Sequence, residues 1–97
     1  MKKIKIANIE RFATQRMNYN TYTKTVTSTR WLFTNGVEVS ITRSVMAFKD
    51  TDTYKTILIT PIRGISKSYL EVSEALTIAQ EIARATFSYD WEIKLYL

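Results

Sequence analysis

Two aspartates in "KDTDTYK", Asp50 and Asp52, have the spacing of the first ligands of a calcium-binding loop. The rest of that loop pattern is missing. Tyr54 stands where a third oxygen ligand is needed, Lys55 where a glycine is needed, and Pro61 where a glutamate is needed. The segment is therefore predicted to be a polar turn between strands.

Catalytic chemistry is poorly supported, because the chain has no histidine and no cysteine. Their absence removes disulfides, thiolate metal ligands, the commonest general base and every histidine-dependent nucleophile. Glu71 and Glu74 lie one turn apart near a helix start, where the helix dipole favours carboxylates in any case. We predict a protein that is not an enzyme and that uses no cofactor, no metal and no small-molecule substrate.

Basic and aromatic residues are interleaved in "NYNTYTK" and "TRWLF". On a sheet, aromatic rings can stack on unpaired bases while lysine and arginine bind phosphates. The candidate contacts for nucleic acid or an acidic partner are Lys24, Arg30, Arg43, Lys49, Lys55, Arg63 and Lys67. The candidates for base stacking or a protein interface are Trp31, Phe33, Met46 and Phe48, with Tyr22 and Tyr54 as further aromatic contacts.

The net charge of +5 is unevenly distributed along the chain. Residues 1–70 hold 12 lysines and arginines against 4 acidic residues, a net charge of +8, and residues 71–97 hold 2 against 5, a net charge of −3. Charge of one sign gathered in one part of a protein steers partners of the opposite sign. The simpler interpretation is that this charge serves solubility alone.

These residues must be positioned by a chain of 97 residues, enough for one domain spanning 1–97. Residues 21–33 and 37–48 alternate in the manner of strands, and Asn35–Gly36 between them predicts a two-residue type I′ turn. The first strand carries a row of threonines that ends in two aromatic residues: Thr21, Thr23, Thr25, Thr27, Thr29, Trp31 and Phe33.

A two-residue turn fixes which residues face each other across this hairpin. Trp31 is then expected opposite Ser40, and the threonine row shares its face with Met46 and Phe48. The opposite face carries the aliphatic residues, so we expect the helix to pack there. The threonine–aromatic face is expected to be at least partly open, because a helix packed on a row of hydroxyls would leave many of them unsatisfied.

The remaining elements follow from periodicity. Strands are predicted over residues 3–7, 54–60 and 91–97, and residues 8–20 are predicted to be a connection or a short helical turn. A helix is predicted over residues 69–87, starting after a Ser68 capping box or after Ser73. We predict an α+β fold, in which a small, mostly antiparallel sheet in the order β–βββ meander–α–β has one C-terminal-half helix packed on one face.

Hydropathy indicates the compartment. No apolar run reaches the length of a membrane-spanning helix, and the apolar residues after the basic start "MKK" are interrupted by Lys5, Asn8 and Glu10. We therefore expect a cytoplasmic protein without a signal peptide.

Basicity, small size, the lack of catalytic residues and the meander–helix layout together favour a binding protein. In these general features the chain is similar to small proteins of phages and mobile elements that inhibit or redirect host nucleic-acid machinery, although no motif carries the likeness. We therefore expect the basic sheet surface to bind nucleic acid, or the nucleic-acid-binding site of a host enzyme or complex. The alternative is a protein–protein interaction module or a homodimer that uses the threonine–aromatic face and no nucleic acid.

Overall fold

The predicted sheet and helix are both present in the computed structural model, which describes residues 4–50, 53–62, 67–87 and 91–95. The elements are β1 (Ile6–Arg11), β2 (Gln15–Asn18), β3 (Tyr22–Phe33), β4 (Glu38–Phe48), β5 (Thr53–Pro61), α1 (Tyr69–Thr86) and β6 (Trp91–Leu95). The strands form one sheet in the order β1-β3-β4-β5-β6, and β2 follows β1 along the same edge of β3. Among the described strands only β5 and β6 pair in parallel. The predicted α+β fold with a single helix in the C-terminal half is confirmed.

The edge strands β1 and β2 lie where the sequence indicates a connection or a helical turn, so the prediction for residues 8–20 is wrong. The strand predicted over residues 3–7 begins at Ile6 instead, and residues 1–3 lie outside the described part of the chain. Within the described part of the chain both edge strands pair only with β3, and nearly all of their side chains are exposed. A strand that buries so little needs no alternation of apolar and polar residues, which is the signal by which strands are recognised. Pairing with β3 therefore decides the conformation of this stretch.

The turn between β3 and β4 has three residues, and the predicted two-residue type I′ turn is wrong. The Phe33 N–H donates to the Val37 carbonyl and the Gly36 N–H donates to the Phe33 carbonyl, both at 2.9 Å. Gly36 has a φ of 87°, whereas no described residue other than glycine has a positive φ. A type I′ turn needs a positive φ at both central residues, so Asn35 excludes it. The geometry is that of a type I turn followed by a left-handed glycine.

The extra turn residue shifts the hairpin register by one and changes which side chains share a face. Trp31 lies opposite Val39 rather than Ser40, and Thr27 lies opposite Arg43. Because side chains alternate between faces, a shift of one residue exchanges the two faces of β4 relative to β3. The threonine row therefore shares its face with the aliphatic residues of β4, and Met46 lies on the other face.

The helix packs on the face that carries Trp31 and Phe33, so the prediction that these two rings are exposed is wrong. Their exposed fractions are 6% and 1%. They belong to a core built from strand residues and one stripe of the helix, comprising Ile4, Trp31, Phe33, Val37, Val39, Ile41, Ile57, Ile59, Ala75, Leu76, Ala79 and Ala83. The alanines allow close approach of α1 to the sheet. We call this the helix-side face, and the opposite face, which no described element covers, the open face.

The helix covers only part of its face. It has 18 residues, or about 27 Å at 1.5 Å per residue, whereas the molecule is 51 Å long. Its start is tied to the hairpin turn, because the Asn35 side-chain amide donates to the Glu71 carbonyl at 3.1 Å. Its last turn ends at Thr86, and most of the threonine row lies beyond that point. The threonine hydroxyls therefore do not have to be buried beneath α1.

The capping box at Ser68 begins the helix, and the alternative start at Ser73 is not used. The Glu71 N–H donates to Ser68 Oγ at 3.2 Å, and the Ser68 N–H donates to Glu71 Oε1 at 3.3 Å. The hydrogen bonds from the Ser68 backbone and hydroxyl lower the pKa of the Glu71 carboxyl, with a smaller contribution from Lys67. The Glu71 side chain therefore caps the helix start, which is where the sequence predicted this carboxylate.

Replacing Gly36 tests the three-residue turn. A Cβ at this position would lie 2.9 Å from Cε and Nζ of Lys67, a flexible side-chain end that can move aside. The left-handed backbone is then the main cost, and we expect Gly36→Ala to lower the free energy of unfolding by about 1–2 kcal/mol. Gly36→Asn should cost less, because asparagine tolerates this conformation better. Urea unfolding with an unchanged m-value measures both, and an alanine variant as stable as the parent would contradict the turn.

Candidate functional site

A groove of about 510 Å³ lies on the helix-side face, between the C-terminal half of α1 and the edge strand β1. Its lining combines apolar and aromatic side chains, threonine hydroxyls and two guanidinium groups. The residues are Ile6, Ile9, Arg11, Phe12, Thr14, Thr27, Thr29, Trp31, Arg43, Ile82, Thr86 and Phe87. Thr27 and Thr29 place the middle of the threonine row within this lining.

Three arginines from three strands surround the middle of the threonine row. In the sheet register Arg11 lies opposite Thr29, Arg43 lies opposite Thr27, and Arg16 lies opposite Thr25. Directly opposite residues share a face, so all six side chains belong to the helix-side face. We call this set, Arg11, Arg16 and Arg43 with Thr25, Thr27 and Thr29, the threonine–arginine surface.

The positive charge of this surface is not balanced by the described carboxylates. Among the described residues, none of the three arginines forms an ion pair. Other cations do have acidic partners: Arg30 lies 3.8 Å from Glu10 and 3.6 Å from Glu38, Lys67 lies 3.9 Å from Glu71, and Lys94 lies 3.9 Å from Glu92. The surface is therefore a local concentration of positive charge without an acidic partner among the described residues.

Arg43 is oriented by an aromatic ring. Its guanidinium carbon lies 4.8 Å from the centre of the Phe87 ring, at the C-terminal end of α1. A guanidinium stacked on a ring uses its face, and its N–H groups remain in its own plane for hydrogen bonds. Beside it, the hydroxyls of Thr14 and Thr27 lie 3.1 Å apart in a hydrogen bond that joins the β1–β2 connection to β3. The groove thus presents oriented donors rather than loose side chains.

The basic residues singled out from the sequence do not form one surface. Arg43 and Lys55 lie on the helix-side face, and Lys24 and Arg30 lie on the open face. Exposed Lys49 follows β4, while Lys67 lies just before α1 at the opposite end of the sheet. Arg63 lies outside the described residues. Lys55 is placed over the Trp91 ring, with Nζ 5.8 Å from the ring centre.

The predicted stacking residues also separate into two groups. Trp31 and Phe33 are in the core, and of the two only Trp31 lines the groove. Met46 and Phe48 lie at the far end of the open face. There an aromatic cluster forms, in which successive ring centres are 4.6, 5.0 and 5.6 Å apart: Tyr19, Tyr22, Phe48 and Tyr54.

Sequence reasoning missed Arg11 and Arg16. Both lie in the stretch interpreted as a connection, so nothing indicated the face on which their side chains would lie. One signal was present, because "NYNT" at residues 18–21 is rich in turn-forming residues just before β3. The structure forms a turn there, with the Tyr19 N–H donating to the Tyr22 carbonyl at 2.8 Å.

No match was found when the chain was compared with protein-family models, with curated proteins and with solved structures.

Across the described residues, no group of three or more acidic, histidine or cysteine side chains could hold a metal ion. Of the two aspartates considered for calcium, Asp50 is exposed and Asp52 lies outside the described residues. The helix in the described part of the chain is too short or too polar to cross a membrane.

Proposed function

We propose that the protein is a non-enzymatic binding protein whose threonine–arginine surface contacts the phosphate backbone of a nucleic acid. The observation that carries this proposal is the grouping of Arg11, Arg16 and Arg43 on one face, without a described carboxylate in ion-pair contact. Phosphates are the natural complement of such a group, because arginine binds them through a planar array of N–H donors.

The threonines support the same proposal. Hydroxyl side chains commonly donate to phosphate oxygens and fix the position of a protein on the backbone without reading sequence. Thr25, Thr27 and Thr29 alternate with the arginines across neighbouring strands. The proposed binding is therefore electrostatic and independent of sequence. Inhibition or regulation of a host enzyme, as a phage or mobile-element protein would exert it, would follow from competition for that nucleic acid.

A protein partner remains the second candidate, and the aromatic cluster favours it. Tyr19 and Tyr54 are 46% and 58% exposed at the two ends of this cluster. Exposed tyrosines are typical anchors of protein interfaces. This surface lies on the open face and shares no residue with the threonine–arginine surface, so variants can separate the two candidates.

Salt dependence tests the nucleic-acid proposal. Fluorescence anisotropy with a labelled oligonucleotide should show that the affinity falls as salt is added. The logarithm of the association constant plotted against the logarithm of the salt concentration should have a slope of about −0.7 per contacted phosphate for a single strand and about −0.9 for a duplex. Three arginine–phosphate contacts would give slopes of roughly −2 and −3. Arg11→Ala should reduce the slope by the value of one contact.

Lys94→Ala is the matched control, because it removes one positive charge from an exposed side chain on the opposite face. It should leave the slope unchanged. Affinity that does not vary with salt, or equal effects of Arg11→Ala and Lys94→Ala, would count against the threonine–arginine surface as the binding site. Retention of a protein by the aromatic cluster, abolished by Tyr54→Ala, would then support the second candidate.

A further inference from the structure

We infer that the nucleic acid is single-stranded and that one of its bases enters the groove between α1 and β1. This inference rests on the proposed function and names its substrate class. It comes from the groove itself, since backbone binding requires only a positively charged surface. The groove adds a concave site with apolar walls beside two arginines, which backbone binding does not need.

The groove is large enough to hold a base. Its volume of about 510 Å³ falls within the range of roughly 300–1,000 Å³ that is usual for small-molecule sites. Phe12 and Ile9 form the wall on the side of the edge strand, and Phe87 and Ile82 form the wall on the side of the helix. A base is a flat, largely apolar ring that suits these walls, and Arg11 and Arg43 lie beside them for its phosphates.

An arginine lies beside each of the two aromatic walls. The Arg30 guanidinium carbon lies 5.6 Å from the centre of the Phe12 ring, and that of Arg43 lies 4.8 Å from the centre of the Phe87 ring. Arg30 belongs to the open face, so the Phe12 ring lies at the edge of the sheet, where it is close to Arg30 and also lines the groove. Phe12 is nevertheless 48% exposed, which leaves much of its surface available to a ligand.

Charge complementarity selects a nucleotide rather than an apolar peptide or a second copy of this chain. The lining contains two arginines and four threonines and, among the described residues, no carboxylate. An uncharged apolar occupant would leave both guanidinium groups without an anion. The adjoining groove beside Ile4 and Ile78 is different, because Lys5 and Glu81 both line it.

A duplex cannot use this groove. Its bases are paired and stacked, so no base face is free to contact an aromatic ring, whereas single strands offer such faces. The aromatic cluster of the open face is a poorer site for a base. Its rings already pack on each other, with Tyr19 stacked on Tyr22 at an interplanar angle of 24°.

Competition between a single strand and a duplex of the same length tests the inference. At one salt concentration, unlabelled oligo-dT should displace a labelled single strand more effectively than the duplex does. Phe12→Ala should weaken single-strand binding by roughly fivefold to a hundredfold, the effect of losing one stacked base. It should leave the salt slope and the duplex affinity unchanged.

Tyr54→Ala is the matched control, since it removes a ring of comparable exposure from the open face. It should leave oligo-dT binding unchanged. If Phe12→Ala does not give the circular dichroism spectrum of the parent, Phe12→Leu serves instead, because it keeps an apolar side chain but loses the ring.

The two proposals fail in different ways. Equal or tighter binding of the duplex, or a greater loss from Tyr54→Ala than from Phe12→Ala, overturns the single-strand inference while salt-dependent backbone binding stands. If neither nucleic acid binds with an affinity that depends on salt, the proposed function and this inference are both wrong.

Discussion

Replacement of Phe33 by alanine is expected to remove about 3–5 kcal/mol of stability, the usual cost of truncating a buried aromatic residue. The Phe33 side chain is 1% exposed, in the core between the sheet and α1. A domain of 97 residues is stable by about 5–15 kcal/mol in total. The variant should therefore lose a large fraction of its free energy of unfolding and unfold at a lower temperature than the parent. Thermal unfolding followed by circular dichroism measures the loss.

Leu32→Ala is the control for this prediction, because the neighbouring side chain of β3 lies on the open face and is only half-buried. Truncating a half-buried leucine should cost about 1 kcal/mol. Similar losses from Phe33→Ala and Leu32→Ala would contradict the packing of α1 on the helix-side face. A Trp31→Ala variant should resemble Phe33→Ala, since Trp31 belongs to the same core.

The elements with strong local signals could be predicted from the sequence. The alternation of β3 and β4, the helical stripe of α1 and the Ser68–Glu71 capping box each depend on residues close together in the chain. Alternation and helical stripes arise because one face of an element is buried, and β3, β4 and α1 each bury one face. β1 and β2 bury almost nothing, so the same reasoning had no pattern to detect.

The error with the largest consequence concerned a single turn residue. Asn-Gly is compatible with a two-residue type I′ turn and also with the last two positions of a three-residue loop. The structure uses the second arrangement, in which Asn35 also donates to the Glu71 carbonyl, 36 residues away in sequence. No local pattern contains that contact. The resulting shift of one residue moved Arg43 to the face of the threonine row and buried Trp31.

The same shift explains why the candidate site was only partly predicted. With the expected two-residue turn, Thr27 would lie opposite Ser44, and Arg43 would lie on the other face from the threonine row. In the structure, Arg43 lies opposite Thr27, and the overlooked edge strands add Arg11 and Arg16 to the same face. The composition drew attention to basic charge, but the register decides which charges lie on the same face.

Removing two arginines from the groove should have the largest effect on binding. Each phosphate contact on a single strand contributes a slope of about −0.7, which corresponds to roughly a fivefold change in affinity at about 0.1 M salt. The double variant Arg11→Ala with Arg43→Ala should therefore bind oligo-dT about 25-fold more weakly at that salt concentration. The slope of its affinity against salt should become less negative by about 1.4. Anisotropy titrations at several salt concentrations measure both quantities.

The matched control is the double variant Lys24→Ala with Lys94→Ala, which changes the net charge by the same amount. Both lysines lie on the open face, because Lys24 is opposite Met46 and Lys94 is opposite Leu58 in the sheet register. If charge alone mattered, both double variants would weaken binding equally, which would contradict a defined surface. A loss confined to the Arg11 and Arg43 variant would place the phosphates at the groove, since only contacts at close range distinguish two proteins of equal net charge.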